Sequence, residues 1–300
     1  MASQKDIKGR ISSVKNIRKI TRAMEMVAAA RLRRAEQRIE ELRPYADAIR
    51  RMTRQAVSAA ESIPNMPILQ EHDSVSRVGV LLVTGDRGLA GAFNSQILRA
   101  GLRAGSEFEG DGKSTRWYAS GRRGVSSLTF RGREVLGGYV GFTDRPAYAN
   151  AREIADDIVA AYVDGEVDRV DIFYNGYVSA LTQEVRRETL LPLQEATILE
   201  GNENDNDGAE GDSGHHALVE YEPDPDVILG RLVPQYVEIS VFRALLESTA
   251  SEHGARMTAM RSASDNAGTI IEDLTLEMNR ARQAEITQEI MEVVAGAESV

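Results

Sequence analysis

The spacing of apolar residues near the start of the chain predicts one long helix over residues 3–60. The apolar positions of this stretch are Ile7, Ile11, Val14, Ile17, Ile20, Met24 and Val27, followed by Ile39, Leu42, Ala46, Ile49 and Met52. Steps of three and four residues place them on one helical face, a seam typical of a coiled coil. Because Pro44 lacks a backbone N–H and crowds the turn before it, we expect a kink near residues 40–43.

A second long helix is predicted from residue 224 to the end of the chain. Asp224 can cap its first free amides, and Pro225 fits the first helical position. Its apolar face consists of Val241, Leu245, Met260, Ala263, Ala267, Ile270, Leu274, Ala281, Ile286, Ile290 and Val293. Pro234 should bend this helix early in its course.

Between the two helices, short apolar runs alternate with stretches of helical spacing. The predicted strands are residues 78–84, 116–119, 135–140 and 170–174, the predicted helices are 92–103 and 147–163, and the predicted antiparallel edge strand is 179–191. Strands rich in β-branched residues that alternate with helices indicate an α/β domain with a mainly parallel sheet.

The predicted organisation has four parts, with boundaries at residues 1–62, 75–198, 199–217 and 224–300. They are the first helix, the α/β domain, an acidic flexible loop and the last helix. Helices of these lengths extend about 80 and about 105 Å, too long for one domain to cover. The predicted fold class is therefore α/β: a long antiparallel coiled coil of the N- and C-terminal helices plus a Rossmann-like α/β domain with a mainly parallel sheet. The longer C-terminal helix should overhang its partner as a single-helix tip.

Charge is distributed unevenly along the chain. The formal net charge is −10 overall, but residues 1–54 carry a net +9 and residues 238–300 a net −6. These two regions either pair in space or form separate solvated faces. The sequence has no cysteine and only four histidines. We find no set of residues at the spacing of a metal site and no nucleophile–base pair, so we predict no metal, no cofactor and no catalytic residue.

Two motifs leave alternatives open. The turn at residues 85–91 follows a strand and precedes a helix, but its glycines read G-x-x-G-x-x-G and no Gly-Lys-Ser/Thr follows. It predicts a tight structural turn more strongly than a nucleotide-binding site. The basic cluster Arg31, Arg33, Arg34 and Arg38 is interrupted by glutamates and has no aromatic residues for base stacking. It indicates a solvated face or an acidic protein partner, and no nucleic acid.

Three segments of the sequence together resemble the gamma family of F-type ATP synthases. They are residues 7–28 (IKGRISSVKNIRKITRAMEMVA), 85–91 (GDRGLAG) and 252–267 (EHGARMTAMRSASDNA), and residues 282–289 (RQAEITQE) extend the match. The order and spacing of these segments agree with the family over essentially the whole chain. Ala90 stands where many relatives have cysteine, which excludes redox control at that position.

The resemblance implies a non-catalytic rotor shaft. It would turn inside a hexamer of alternating alpha and beta subunits, with its foot on the membrane c ring beside the epsilon subunit. Torque would pass between the proton-driven ring and the catalytic sites on beta. The resemblance also implies a peripheral location on the cytoplasmic face of the bacterial plasma membrane.

The resemblance further implies contacts for individual residues. Those expected to contact the alpha and beta subunits are Met24, Arg31, Arg34, Arg256, Gln283, Thr287 and Glu289. Tyr221 and Glu222 are expected at the foot, near the c ring and epsilon. Two rival functions remain: a nucleotide-binding enzyme built on the α/β domain, and a generic coiled-coil scaffold that does not depend on alpha and beta.

Overall fold

The structure, a computed structural model, describes residues 4–59, 67–70, 72, 74–193 and 225–298. Its helices and strands in chain order are α1 Gln4–Ala59, β1 Arg77–Val83, α2 Phe93–Gly110, β2 Ser114–Ser120, α3 Arg122–Phe130, β3 Val135–Tyr139, α4 Tyr148–Val163, β4 Arg169–Tyr177, β5 Gln183–Leu191 and α5 Pro225–Glu298. The predicted acidic loop, 199–217, and the predicted foot residues Tyr221 and Glu222 lie outside the described residues.

The two terminal helices are as long as the apolar seams predict. Helix α1 has 56 residues and continues through Pro44, and α5 has 74 residues and continues through Pro234. Neither proline therefore ends its helix. The kink expected near residues 40–43 stays a prediction.

The five strands form one sheet in the order β3-β2-β1-β4-β5. The pairs β1–β2, β1–β4 and β2–β3 are parallel, and β4–β5 is antiparallel. This confirms the predicted parallel sheet with an antiparallel edge. Strand β1 lies at the centre, where Val80, Leu81 and Leu82 are fully buried. A strand covered on both faces must be apolar throughout, which explains its unbroken apolar run.

Each face of the sheet is covered by helices. Helices α2 and α3 pack on one face, where Ile97, Trp117 and Leu128 are buried. Helix α4 and the first part of α5 pack on the other, where Ile158 and Val241 are buried. The α/β region thus has the two apolar layers that stabilise a doubly covered sheet.

The chain divides into two compact units, Arg31–Ala255 and the remainder made of Met1–Ala30 with Arg256–Val300. In the second unit, the start of α1 pairs with the later part of α5. Ile7 and Ile11 form an apolar cluster with Leu274.

The pairing in this unit is antiparallel. Glu25, further along α1 than the apolar cluster, accepts a hydrogen bond of 2.9 Å from Arg261, which comes earlier in α5. Residues 282–294 of α5 are all exposed. Both observations agree with the predicted antiparallel coiled coil and its single-helix overhang.

A buried carboxylate fixes the entry into the α/β region. Asp168 accepts hydrogen bonds from the backbone N–H of Ser76 (3.0 Å) and Arg77 (2.8 Å) and from Nη2 of Arg77 (3.0 Å). His72 Nδ1 lies 2.9 Å from Oδ1 of Asp168, the oxygen that also accepts from Nη2 of Arg77. Burial alone would raise the pKa of Asp168, but the hydrogen bonds from Arg77, His72 and Ser76 outweigh it and hold the pKa far below its usual value. Asp168 therefore remains ionised and holds the chain at the start of β1.

We predict that Asp168→Asn lowers the free energy of unfolding by about 2–4 kcal/mol at neutral pH, because it leaves buried donors without a charged acceptor. The pKa of Asp168 is lower in the folded state, so its stabilisation is complete above the unfolded value of about 3.9 and is lost as the pH falls below it. Urea unfolding at several pH values should show that the difference in free energy of unfolding between wild type and variant becomes smaller below about pH 4. Asp156→Asn, at an exposed site on α4, is the control. A difference that does not change with pH would contradict the prediction.

Gly121 and Gly112 both have a positive φ, but a Cβ would clash with a neighbouring atom only at Gly121. The φ of Gly121 is +93°, and a Cβ there would lie 2.2 Å from the carbonyl oxygen of Thr84. Gly112 has a φ of +79° but nothing within 4 Å of its Cβ position. We expect Gly112→Ala to cost about 1 kcal/mol of backbone strain and Gly121→Ala at least about 3 kcal/mol, because the clash adds to the strain. Thermal unfolding of both variants tests this, and equal losses would rule out the steric contribution.

Candidate functional site

The carboxyl edge of a parallel sheet is where α/β domains usually bind small ligands. In this chain α5 crosses that edge. The hydroxyl of Ser248 donates to the carbonyl of Val83 at the end of β1 (3.4 Å), and that of Ser251 donates to the carbonyl of Asn175 in β4 (3.0 Å). The crevice between β1 and β4, where the strand order reverses, is therefore filled by the chain's own helix.

The turn at residues 85–91 lies at the same edge. Its Asp86 carboxylate accepts hydrogen bonds from the backbone N–H groups of Arg122 (2.9 Å) and Gly141 (2.9 Å) and from the hydroxyl of Thr143 (2.9 Å). Burial tends to raise the pKa of Asp86, but these hydrogen bonds prevail and lower it. Asp86 thus ties together the three loops that follow β1, β2 and β3.

The first two amides of this turn are already used. The N–H of Gly85 donates to the Asn94 side chain (2.8 Å), and that of Asp86 donates to Thr143 (2.9 Å). A Cβ on Gly85 would lie 2.8 Å from the Glu252 carboxylate of α5. A phosphate at the start of this turn would meet two carboxylates, Asp86 and Glu252, and would find the amides of Gly85 and Asp86 already bonded. The geometry favours the structural interpretation of the turn over the nucleotide-binding one.

The histidines that the structure describes contribute to packing. His72 belongs to the Asp168 network and stacks on Tyr162 at 4.5 Å between ring centroids. His253 is buried, and its Nε2 lies 3.7 Å from Asp144. Among the described residues, no group of three or more acidic, histidine or cysteine side chains could hold a metal ion.

The predicted contact residues of α1 differ in their surroundings. Arg31 forms an ion pair with Asp144 in the loop after β3, and its side chain is about two-fifths exposed. Arg34, one turn further on, is exposed. Met24 is half-buried. The pairing of Arg31 leaves Arg34 as the more available positive charge for a partner.

The predicted contact residues of α5 fall into two groups. Gln283, Thr287 and Glu289 are exposed in the overhanging part of the helix. Gln283 and Thr287 are four residues apart and share a face, whereas Glu289 lies on another. Arg256 is only 8% exposed, so most of its side chain is packed within the chain. Exposed apolar side chains continue along the same part of α5: Ile286, Ile290, Met291, Val293 and Val294.

The structure also identifies residues that the sequence pattern did not single out. Asp144 joins α1 to the loop after β3 through Arg31, and Glu25 joins α1 to α5 through Arg261. Asp86 was visible within the turn motif, but its role as a common acceptor was not. The partners of Asp144 and Glu25 lie more than a hundred residues away along the chain, so no local pattern could have found them.

None of the helices in the described ranges contains a stretch apolar enough to cross a bilayer. Two solved chains with this fold come from mitochondrial ATP synthases. A chain from the Euglena gracilis mitochondrial ATP synthase (OSCP/F1/c-ring) matches with a TM-score of 0.67 and 17% identity, covering 99% of this chain and 94% of that one. A chain from the Tetrahymena thermophila mitochondrial central stalk and c-ring matches with a TM-score of 0.60 and 24% identity, covering 82% of this chain and 99% of that one. At these identities the matches show a common fold.

Sequence comparisons show the family as well as the fold. A family model described as ATP synthase matches residues 3–300. The ATP synthase gamma chain of Rubrobacter xylanophilus is 43% identical over 100% of this chain and 99% of its own length. That of Kineococcus radiotolerans is 43% identical over 97% of this chain and 94% of its own. The chain therefore belongs to the ATP synthase gamma chain family.

Proposed function

We propose that the chain is the central rotor shaft of an F-type ATP synthase and transmits torque between the membrane c ring and the alpha/beta catalytic hexamer. As a gamma chain it is a non-catalytic subunit of the membrane-associated synthase. The observation that carries the proposal is α5, a helix of 74 residues that pairs with α1 and extends beyond it. At 1.5 Å per residue this helix is about 110 Å long.

The helix pair has properties that a torque rod requires. The apolar cluster of Ile7, Ile11 and Leu274 and the ion pair of Glu25 with Arg261 hold the two helices to each other in the second unit. Two packed helices resist bending better than one. The exposed apolar end of α5 suits an apolar sleeve, because contacts of this kind are non-directional and permit sliding.

The α/β domain supports the same proposal, because the carboxyl edge of its sheet has no open crevice between β1 and β4 for a ligand. The crevice that an enzyme of this architecture uses for a nucleotide is filled by Ser248, Ser251 and Glu252 of α5. A function that leaves the chemistry to other subunits agrees with this geometry. We propose the predicted division of the chain, with the α/β domain at 75–198 between helical regions at 1–62 and 224–300.

The proposed contacts with alpha and beta involve Met24, Arg31, Arg34, Arg256, Gln283, Thr287 and Glu289. The exposure of Arg34, Gln283, Thr287 and Glu289 supports a direct role. A positive surface on α1 would attract an acidic surface of the hexamer and align it. Arg256, being buried, would act mainly by holding α5 in place.

The foot of the shaft is proposed at Tyr221 and Glu222, next to the c ring and the epsilon subunit. We propose that the complex lies on the cytoplasmic face of a bacterial plasma membrane. The bacterial origin of the two gamma chains named above supports this location.

Co-expression with the neighbouring alpha and beta subunits tests the proposal. We expect a purified ATPase particle that contains one copy of this chain per alpha–beta hexamer. Native mass spectrometry gives the stoichiometry, and ATP-driven proton pumping in membranes that contain the whole complex gives the coupling. The shaft function would be refuted if the chain purifies alone, or if a complex that lacks the chain still pumps protons.

Gln283→Leu tests one contact. Because Gln283 is exposed on α5, the substitution should leave the melting temperature of the isolated chain within about 2 °C while proton pumping by the complex falls at least about twofold. Gln96→Leu, at an exposed site on α2, is the matched control. Arg256→Ala should also reduce pumping, but its burial means that it should lower the melting temperature as well. Unchanged pumping in Gln283→Leu would remove this residue from the interface.

A further inference from the structure

A basic cleft of about 390 Å³ lies between α1, the loop after β3 and α5, entirely within the unit Arg31–Ala255. Its charged lining includes Arg31, Arg34, Arg38 and Glu41 from α1 and Asp144 and Arg145 from the loop. The cleft lies beside the stretch of α5 that crosses the carboxyl edge of the sheet, and it opens towards α1. Its residues also lie far along the chain from the exposed end of α5.

The positive charges of the cleft are only partly compensated. Arg31 and Asp144 neutralise each other in an ion pair. Three guanidinium groups, those of Arg34, Arg38 and Arg145, then share the cleft with the single carboxylate of Glu41. Such an excess of positive charge in a concave site attracts anions.

The hydrogen-bonding capacity of these arginines is largely unused. Arg38 donates from Nη2 to the carbonyl of Pro146 at 2.5 Å, which uses one of its five N–H groups. The side chains of Arg34 and Arg145 have no hydrogen bond or ion pair with any residue in the described part of the chain. Most donors in the cleft are therefore available to a ligand.

The positive charge of Arg38 is not fully compensated by its neighbours. Burial lowers the pKa of Arg38, the nearby charge of Arg145 lowers it further, and Glu41 offsets this only in part. A bound anion between Arg38 and Arg145 would favour the charged form of both groups.

The polar groups on the α5 side limit where an anion can sit. The hydroxyl of Thr249 lies within hydrogen-bonding distance of the carbonyls of Thr143 (2.9 Å) and Leu245 (2.8 Å), so its single proton is already used. His253 lies against Asp144, whose carboxylate is paired with Arg31 and offers an anion no donor. Binding is therefore expected on the α1 and Arg145 side of the cleft.

We propose that this cleft binds a phosphate oxyanion through Arg34, Arg38 and Arg145. Arg34 and Arg38 are one helical turn apart and Arg145 comes from a different element, so their donors approach from more than one direction. A carboxylate is satisfied by one guanidinium fork, whereas a tetrahedral phosphate can accept from several arginines at once. The source is either free inorganic phosphate or the phosphate group of a nucleotide. This proposal goes beyond the rotor function and does not rest on it.

The test is a calorimetric titration of the full chain with inorganic phosphate, at constant ionic strength maintained with sodium chloride. We expect saturable binding, and we expect Arg38→Gln and Arg145→Gln each to weaken it about tenfold, as the loss of one charged hydrogen-bonding group would. Arg103→Gln, at an exposed arginine on α2, is the matched control and should bind phosphate as wild type does. Arg145 is exposed and unpaired in the described chain, so its variant remains informative if Arg38→Gln fails to fold.

The same titration with ADP identifies the source of the phosphate. Binding of inorganic phosphate that Arg145→Gln weakens supports a free-anion site, and binding of ADP alone with the same sensitivity supports a nucleotide. The proposal is overturned if neither ligand saturates the chain. It is also overturned if Arg145→Gln and Arg103→Gln bind equally well, because the signal would then reflect general attraction to a basic surface.

Discussion

The packing of α5 against the sheet is the contact on which the rest of the structure depends. Leu229, Val233, Val237, Val241 and Leu245 are buried on one face of the sheet and complete its second apolar layer. The residues that follow then cross the carboxyl edge, where their short polar side chains satisfy strand carbonyls. One helix therefore closes the core, fills the usual ligand crevice and continues into the coiled coil.

Partly buried charges give this packing its register. Arg243 of α5 reaches Glu188 of β5 at 2.6 Å, and Arg186 of β5 reaches Glu247 of α5 at 3.1 Å. Burial raises the pKa of Glu247, although Arg243 and Arg186 oppose this. Such crossed pairs add little net stability, since desolvation offsets most of the attraction. Their value here is that a shift of α5 along β5 would leave charges unpaired, so only one alignment is favourable.

The packing of α5 over the carboxyl edge also explains why this α/β domain suits a rotor subunit and not the nucleotide binding that many α/β domains carry out at that edge. Asp86 draws together the three loops that would otherwise form a ligand site, and α5 places Glu252 above the turn. Several loop amides that could hold a phosphate donate to Asn94, Thr143 and Asp86 instead. Unused donors occur at the basic cleft on the α1 side, which explains why the one proposed small-molecule site lies there.

The sequence by itself determined the elements and the family. The lengths of α1 and α5, the parallel strands and the antiparallel edge all follow from local spacing, because a helix or strand repeats its apolar positions within a few residues. Much of the candidate contact set could also be named from motifs, including the exposed Gln283 and Thr287. Exposure itself could not be predicted: Arg256 belongs to the same motif set and yet is buried.

Only the tertiary structure decided which distant groups meet. The pairing of Arg31 with Asp144, the use of Asp86 as a common acceptor and the filling of the carboxyl edge by α5 each join residues that are far apart in the chain. The physical reason is that a hydrogen bond or ion pair depends on distances of about 3 Å between side chains, which local periodicity does not encode. The sequence thus determined which elements form, and the packing of α5 decided what their polar residues can do.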